Sequence, residues 1–454
     1  MRTRLVALAG ASLIALSAAQ EAHAGAFNLQ EQSSAGTGRA QAGNTAIADD
    51  ASTVLFNPAG MTELGRGAVD VGVQGIFIDA KTTNTGTTIR GPGTGGLTLP
   101  VNGGSGKNPA DPVALPHFSA AMNVVPNQLW LGLSVNTTFG LKTAYDGTWF
   151  GRYDSTYSDL KTYSFQPTVA WKVNEQFSIG VGAVLRYSKA ELRTTLPNPL
   201  TAGGSIPATD GDFKLKGDDF SGGFNIGVLW KPTPQWNIGL DYQHEVGSTL
   251  RGDATIKDLR LPPAIPVPGV GLVPLPNPNS VRPASADLKT PNIVALGVAY
   301  QMTPQWKLLA DVKWTRWETF KDITIVASDN NTVINSLPQN YENTWTLAGG
   351  AEYKFNDAIT LRGGVQYDQT PTNDIDRSTR VPDGDRFWTS IGASYKFNDN
   401  LTFDLSYAHI FVKNEEVNVT RSYFVGTPLA TVVNTRAHVE PSIDIVAVGA
   451  RYRF

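Results

Sequence analysis

Short polar turns divide most of this chain into paired runs of alternating apolar residues, and that punctuation restricts the fold more than any other feature. The turns are Pro126-Asn127-Gln128, Asn174-Glu175-Gln176, Pro232-Thr233-Pro234-Gln235, Thr303-Pro304-Gln305, Asn356-Asp357 and Asn398-Asp399-Asn400. Pro, Asn and Asp suit tight turns because they supply the dihedrals or cap local backbone groups. These six turns join twelve strands, and runs at about 66–80 and 438–454 bring the expected number to fourteen. Every other connection is long and rich in Gly, Pro, Thr or Asp: roughly 82–114, 141–159, 194–212, 252–286, 324–340, 370–384 and 416–435. Short turns at one end and long loops at the other is the layout of an outer-membrane β-barrel. An even strand number also returns both chain ends to the periplasmic side.

The alternation shows which face meets lipid. Trp306, Leu308, Ala310, Val312 and Trp314 share one face of a strand, while Lys307, Asp311 and Lys313 share the other, because side chains point alternately to the two sides. Phe177 to Tyr187, Trp236 to Tyr242, Trp345 to Phe355 and Leu401 to Tyr407 repeat the pattern. A soluble sandwich would also alternate. Here, however, aromatics cluster at strand ends and flank small aliphatics, as interfacial girdles do. The last run places Val446, Val448, Ala450, Tyr452 and Phe454 on one face. A terminal Phe of this kind resembles the signal read by the barrel assembly machinery.

Composition excludes other classes. Mean hydropathy is −0.17 and no charge-free stretch of ~20 apolar residues follows the N-terminus, so a helical membrane bundle is ruled out. A net charge of −3 argues against a nucleic-acid partner. With no cysteine there is neither a disulfide framework nor a thiolate site. Residues 1–24 read as a secretory signal: Arg2 and Arg4, an uncharged run from Leu5 to Ala19, then Ala22-His23-Ala24. The mature chain is expected to begin at Gly25.

Two glycine motifs look chemical and are not. Gly91-Pro92-Gly93-Thr94-Gly95-Gly96 precedes Leu97-Thr98-Leu99-Pro100, which is no helix start, so the helix terminus that would hold phosphate is missing. Gly104-Ser105-Gly106-Lys107 lacks both the first glycine and the Ser/Thr of a phosphate loop. His117, His244, His409 and His438 are scattered, and His23 leaves with the signal. No catalytic residue, metal site or cofactor is expected.

The segment from Ala26 to Leu64 is the most specific in the chain. It reads Ala-Phe-Asn-Leu-Gln-Glu-Gln-Ser-Ser-Ala-Gly-Thr-Gly-Arg-Ala, then Ala46-Ile-Ala-Asp-Asp-Ala51, then Asn57-Pro58-Ala59-Gly60-Met61. It resembles the N-terminal hatch of the FadL family, outer-membrane channels for long-chain fatty acids and other hydrophobic molecules. Thr290-Pro291-Asn292, Trp314-Thr315-Arg316-Trp317, Gln366 to Pro371 and Val381 to Trp388 are similar to the family as well. The resemblance implies an all-β fold: a hatch at 25–64 plugging a fourteen-stranded antiparallel barrel at 65–454.

It also implies a route. In the family, extracellular loops catch the ligand, a lumenal pocket holds it, and the hatch opens a way to a gap at a kinked strand. Phe27, Asn57, Pro58 and Ala59 then belong to pocket and hatch, and the kink maps to Asn136-Thr137-Thr138-Phe139-Gly140, with Phe139 and Gly140 at the lateral gate. The 141–159 loop, carrying Tyr145, Trp149, Phe150 and Tyr153, resembles the outer capture groove, completed by Leu196, Leu200 and Ile206. Leu259 to Leu275 form a second apolar loop that needs cover. Arg193 and Arg186 are the candidate carboxylate partners. The sequence departs from the fatty-acid members in the loop before the tenth strand, where Leu337 lies near a position at which they carry a basic residue, and has no Lys or Arg between Lys321 and Lys354. Neutral aromatic or terpenoid hydrocarbons are therefore the alternative cargo, and an adhesive or structural barrel is the alternative class. A general diffusion porin is disfavoured because a hatch would plug it. The implied partners are a hydrophobic ligand, outer-membrane lipid and lipopolysaccharide, and the assembly machinery, with the chain a monomer.

Overall fold

Three of the six short turns close on their own side chains. Asn174, Asn356 and Asn398 each accept, through Oδ1, the N–H of the residue two positions on. Lys172, Lys354 and Lys396 pair with Glu175, Asp357 and Asp399 at 2.7, 2.7 and 2.8 Å. Exposed pairs like these contribute ~0–1 kcal/mol, so they select the turn more than they stabilise the fold. The computed structural model describes residues 26–454 apart from Pro268, Val270 and Pro276. The expected signal at 1–24 and Gly25 lie outside the described residues.

Fourteen antiparallel strands close into a barrel. They are β1 Gly67–Asn84, β2 Val113–Val125, β3 in two pieces (Leu129–Asn136 and Gly140–Ala144), β4 Tyr157–Lys172, β5 Phe177–Leu196 and β6 Gly211–Thr233. β7 (Trp236–Gln243, Val246–Lys257), β8 (Ser280–Thr290, Asn292–Gln301), β9 (Trp306–Arg316, Asp322–Ala327) and β10 (Val333–Pro338, Thr344–Lys354) are also interrupted. β11 Ile359–Asp368, β12 Arg386–Lys396, β13 (Leu401–Val412, Glu415–Tyr423) and β14 Thr431–Arg453 complete the circuit. β14 pairs back onto β1 from Ala68↔Arg453 to Asn84↔Ala437. The strands run further outward than expected: much of the connection read as the loop 252–286 is ladder between β7 and β8. Its polar alternation, Arg251-Gly-Asp253 against Pro283-Ala-Ser285, resembles loop composition because it stands above the apolar band.

Outward residues of β10 illustrate that band. Trp345, Leu347 and Phe355 are half exposed. The ten steps from Trp345 to Phe355, at about 3.3 Å each and tilted ~40°, span ~25 Å, the height of an outer-membrane apolar belt. No helix among the described residues is long and apolar enough to cross a membrane, which has no bearing on strands.

Residues 26–64 fill the lumen as two one-turn helices (Ser34–Thr37 and Thr53–Phe56), a 3-10 turn (Pro58–Glu63) and connecting bends. The wall receives them through inward-facing glycines. A Cβ on Gly180 would lie 2.5 Å from the Pro58 carbonyl carbon, one on Gly392 2.9 Å from the Gly38 Cα, and one on Gly449 2.7 Å from the Ser34 Oγ. Gly239 and Gly364 meet the main-chain oxygens of Thr45 and Arg39 still more closely. Glycine is what lets a second backbone approach a strand this closely. Below this belt Arg39 pairs with Glu352 (3.0 Å), Glu352 with Arg362 (2.7 Å), and Asp404 with Arg362 (3.3 Å) and Arg451 (2.6 Å).

Candidate functional site

The ladder between β2 and β3 ends early. β2 and β3 pair from Val125↔Leu129 only as far as Phe118↔Val135. Beyond that, Val113 to His117 keep their pairing with β1, whereas Gly140–Ala144 pairs with β4 alone. Between the two pieces of β3, residues 137–139 oppose only Thr162 and Tyr163 of β4, a bulge of the kind that bends a strand. Pro116 lies in the stretch of β2 that has no β3 partner, where its missing N–H costs no ladder bond. The kink therefore falls within Asn136–Gly140.

The N-terminal segment takes the place of the missing ladder. Leu29 donates its N–H to the Thr138 carbonyl (2.8 Å), and Gly140 donates to the Phe27 carbonyl (2.9 Å). Asn28 and Phe139 form an antiparallel bridge. The Gln32 side chain donates to the Thr137 carbonyl (2.6 Å). Gly140 does not have a positive φ, and a Cβ there would point at Leu29 Cδ1, 3.1 Å away.

Phe27 is the centre of an aromatic box. Its ring lies 4.8 Å from that of Trp317, 5.3 Å from Phe320, 6.0 Å from Phe139 and 6.3 Å from Tyr341. All five are at least 96% buried. The adjoining apolar side chains are Leu141, Leu160, Leu250 and Leu288. Below, Asn57 is wholly buried: its Nδ2 donates to the Thr45 (2.7 Å) and Val228 (2.9 Å) carbonyls, and its Oδ1 accepts from Ala59 N–H (3.1 Å). Pro58 and Ala59 rest on Gly180.

Arg186 and Arg193 lie on opposite faces of β5. Arg186 points inward and is buried. It donates to the hydroxyls of Ser164 (3.1 Å), Thr290 (2.9 Å) and Thr138 (3.3 Å), lies over the Phe139 ring at 4.9 Å, and has no carboxylate partner among the described residues. Arg193 is directed outward over Tyr157 and paired with Glu191, so it does not reach the lumen. A side-chain period of two sends residues seven positions apart to opposite faces.

The aromatic side chains of the outer loop are covered in this structure. Tyr145, Trp149 and Phe150 are interior: Tyr145 stacks on Trp149 at 3.8 Å, Trp149 Nε1 donates to the Ser155 carbonyl (2.8 Å), and the group packs on Val417, Val419, Ala437 and Val439. These rings cover one another and the ends of β13 and β14, and form no open groove. Leu196 packs with Phe213, Leu215 and Ile325 on the inner face of the raised sheet, and Leu200 is half-buried. In the proline-rich loop Leu259 and Ile265 are buried, while Leu272 is exposed.

What is open is a vestibule above the lumen, a cavity of about 410 Å³ lined by Tyr153, Leu337, Ile375, Val419, Arg380 and Arg421, among others. That volume lies within the range of ligand pockets. The lumenal spaces beside Ala26 and Leu29, at about 50 and 60 Å³, hold only a few waters. Arg380 and Arg421 escaped the sequence reading because nothing in loop 370–384 or the run 416–435 sets them apart from other surface arginines.

Over residues 15–454 the chain matches the family described as outer membrane protein transport protein (OMPP1/FadL/TodX). The long-chain fatty acid transport protein of Salmonella typhi is 27% identical over 415 residues, covering 88% of this chain and 90% of its own. Outer membrane protein P1 of Haemophilus influenzae is 28% identical over 452 residues, covering 93% of each. A Pseudomonas aeruginosa FadL homologue superposes with a TM-score of 0.81 at 27% identity, over 95% of this chain and all of that one. The Ralstonia pickettii toluene transporter TbuX has a TM-score of 0.64 at 19% identity, over 93% and 98%, a likeness of fold alone.

Proposed function

The chain belongs to the outer membrane protein transport family OMPP1/FadL/TodX, and from that premise we propose that it is a passive outer-membrane channel for hydrophobic molecules, with long-chain fatty acids as cargo. One observation carries the reading: an aromatic box filled by Phe27 adjoins the wall seam that the same N-terminal segment closes. Residues 25–64 act as the hatch. A hydrophobic molecule gains nothing from a wet pore, since each methylene is worth ~0.8 kcal/mol only when it leaves water. Expelling Phe27 from its box costs roughly 2–3 kcal/mol, so about three or four entering methylenes offset it. Once Phe27 withdraws, the bonds from residues 27–29 to the kink are strained or broken, and the seam opens sideways toward lipid.

The glycine belt and the ion network below it support a hatch whose base stays in place, which disfavours passage to the periplasm. Arg186, a buried guanidinium satisfied only by hydroxyls and an aromatic face, supports an acidic head group. Leu337, near a position where fatty-acid members are basic, favours the second reading, a neutral aromatic or terpenoid hydrocarbon. Capture by the 141–159 loop would require that loop to lift from β13 and β14. Lipopolysaccharide and the assembly machinery are the proposed partners of a monomeric barrel.

The test is uptake of labelled oleate by cells whose only such channel is this protein, beside a liposome swelling assay with sugars. Oleate uptake without sugar permeation is expected. Sugar permeation at porin rates would identify a diffusion pore, and a chain that transports neither would leave the adhesive role.

A further inference from the structure

We propose that the extracellular vestibule contains an anion-recognising site, built from Arg380 and Arg421, that takes the carboxylate head of an amphipathic acid before its chain enters the lumen. This rests on the hydrophobic-uptake reading and deepens it, because the site would distinguish an acid from a neutral hydrocarbon.

The two guanidiniums come from different elements, the loop after β11 and the outer end of β13, and both line the cavity. Among the described residues only one carboxylate is buried with them, that of Asp154, and its oxygens are already engaged. Oδ2 accepts from the Thr379 N–H (2.8 Å) and hydroxyl (2.7 Å), and Oδ1 accepts from Arg421 Nε (2.8 Å). Arg380, 96% buried, reaches only neutral oxygens. Its Nη2 donates to the Asp154 main-chain carbonyl (2.9 Å), and its Nη1 to the Ser158 (3.1 Å) and Ser155 (3.3 Å) hydroxyls and to the Tyr157 and Arg193 carbonyls. Arg380 Nε and Arg421 Nη2 are buried without a hydrogen-bond partner. Burial pushes the Arg380 guanidinium down to about 10, a sign that its charge is under-compensated. Asp376, also in the lining, is half-buried and held by Asn340 Nδ2 (2.9 Å), which leaves the buried part of the cluster one positive charge in excess.

Leu337, Ile375 and Val419 are apolar neighbours for the first methylenes behind such a head. A planar fork with spare N–H groups is the geometry that binds carboxylate. The alternative is that Arg380 merely ties loop 370–384 to the 141–159 loop, and the experiment separates the two.

Binding of oleate and of methyl oleate would be measured on the full mature protein in nonionic detergent, with the parent, Arg421→Gln, Arg380→Gln and Arg186→Gln. The parent should bind oleate roughly tenfold tighter than the ester, the effect of one charge-assisted hydrogen bond. Arg421→Gln and Arg380→Gln should erase most of that preference while ester binding stays within about twofold. If Arg380→Gln loses the heat-resistant barrel band, Arg421→Gln alone decides. Equal affinities in the parent would overturn the proposal. So would parallel losses of both ligands in the variants, or a preference lost only in Arg186→Gln. Failure of the parent to bind either ligand would instead overturn the uptake reading beneath it.

Discussion

The seam between β14 and β1 is laddered from Ala68↔Arg453 to Asn84↔Ala437, while the seam between β2 and β3 stops at Phe118↔Val135 and borrows residues 27–29 to continue. Both join wall strands of one barrel. In the first, the backbone groups are satisfied within the wall, so opening it would expose a row of donors and acceptors to lipid, at several kcal/mol each. In the second, the closing segment makes an isolated bridge from Asn28 to Phe139 and is otherwise held by side chains, with Asp383 accepting the Ala26 N–H and Asp368 accepting from Gln30 Nε2. A gate is cheap where the ladder partner can leave without unfolding the wall.

A cross-link should have the largest effect. The chain has no cysteine, so Asn28→Cys with Phe139→Cys, which are bridge partners, places one disulfide across the gate at a spacing that antiparallel partners permit. Oxidation should abolish uptake and reductant restore it. The same treatment of Val73→Cys with Val448→Cys, paired in the closed seam, should leave uptake unchanged. Transport at the parental rate by the oxidised gate pair would exclude this seam as the exit.

Gly140→Trp comes next. Because Gly140 does not have a positive φ, the barrel should form and resist heat in detergent gels. Uptake should fall by about tenfold or more, as for a barrier raised by ~1.4 kcal/mol. Gly140→Ala is the control: its methyl meets only the flexible end of Leu29 and should cost little.

Phe27→Ala removes the competitor for the aromatic box. Affinity for an apolar tracer in the purified protein should rise by roughly tenfold, less than the full ~2–3 kcal/mol of burial because the emptied box partly collapses. Unchanged or weaker binding would mean that Phe27 is a wall residue and the ligand lies elsewhere.

Acidity should tune the closed state through Glu31. Its carboxyl is buried with neither oxygen hydrogen-bonded, and burial raises it from 4.5 to about 7 against the opposing pull of Arg386 and Lys313, with Asp368 adding to the rise. The docked segment therefore holds the proton more tightly than a released one. The resulting stabilisation is complete below about 4.5 and is lost as pH rises through about 7. The hydrogen-exchange protection of residues 26–33, taken relative to the intrinsic exchange rate at each pH, should fall across that window in the parent and not in Glu31→Gln. A flat profile in the parent would show that Glu31 stays solvated.

Asn57→Ala should have the smallest effect. It leaves the Thr45 and Val228 carbonyls without their donor, a loss of ~1 kcal/mol apiece confined to the hatch. Uptake should slow a few-fold, as with Pro58→Ala, while the barrel's melting temperature stays put. Normal uptake by both variants at equal surface expression would remove the motif from the mechanism.

Strand number and facing were legible because both obey local rules. A Lys-x-Asn-Glu/Asp turn closes on itself within four residues, and the alternation of Trp306 to Trp314 needs only a period of two. The kink at 136–140 and the box residue Phe27 were legible only through the family resemblance, since no local signal marks a bulge or an inserted side chain. The cover of the loop aromatics was not legible, for a physical reason. Trp149 and Phe150 are apolar and need cover, but whether cover comes from ligand or from Val417 and Val439 depends on strands almost three hundred residues away.

The sequence by itself determined the alternation, the turns, the absence of disulfides, and hence a membrane barrel with long outer loops, since each of these follows from residues within one strand's reach. Only the tertiary structure decided that the β2–β3 ladder ends early, that residues 27–29 dock at the kink, that Arg186 rather than Arg193 faces the lumen in this register, and that Arg380 and Arg421 meet at Asp154, one at its main-chain carbonyl and the other at its carboxylate. These outcomes depend on closing the ring, which brings distant segments together according to strand shear and stagger, and a linear pattern does not encode that closure locally.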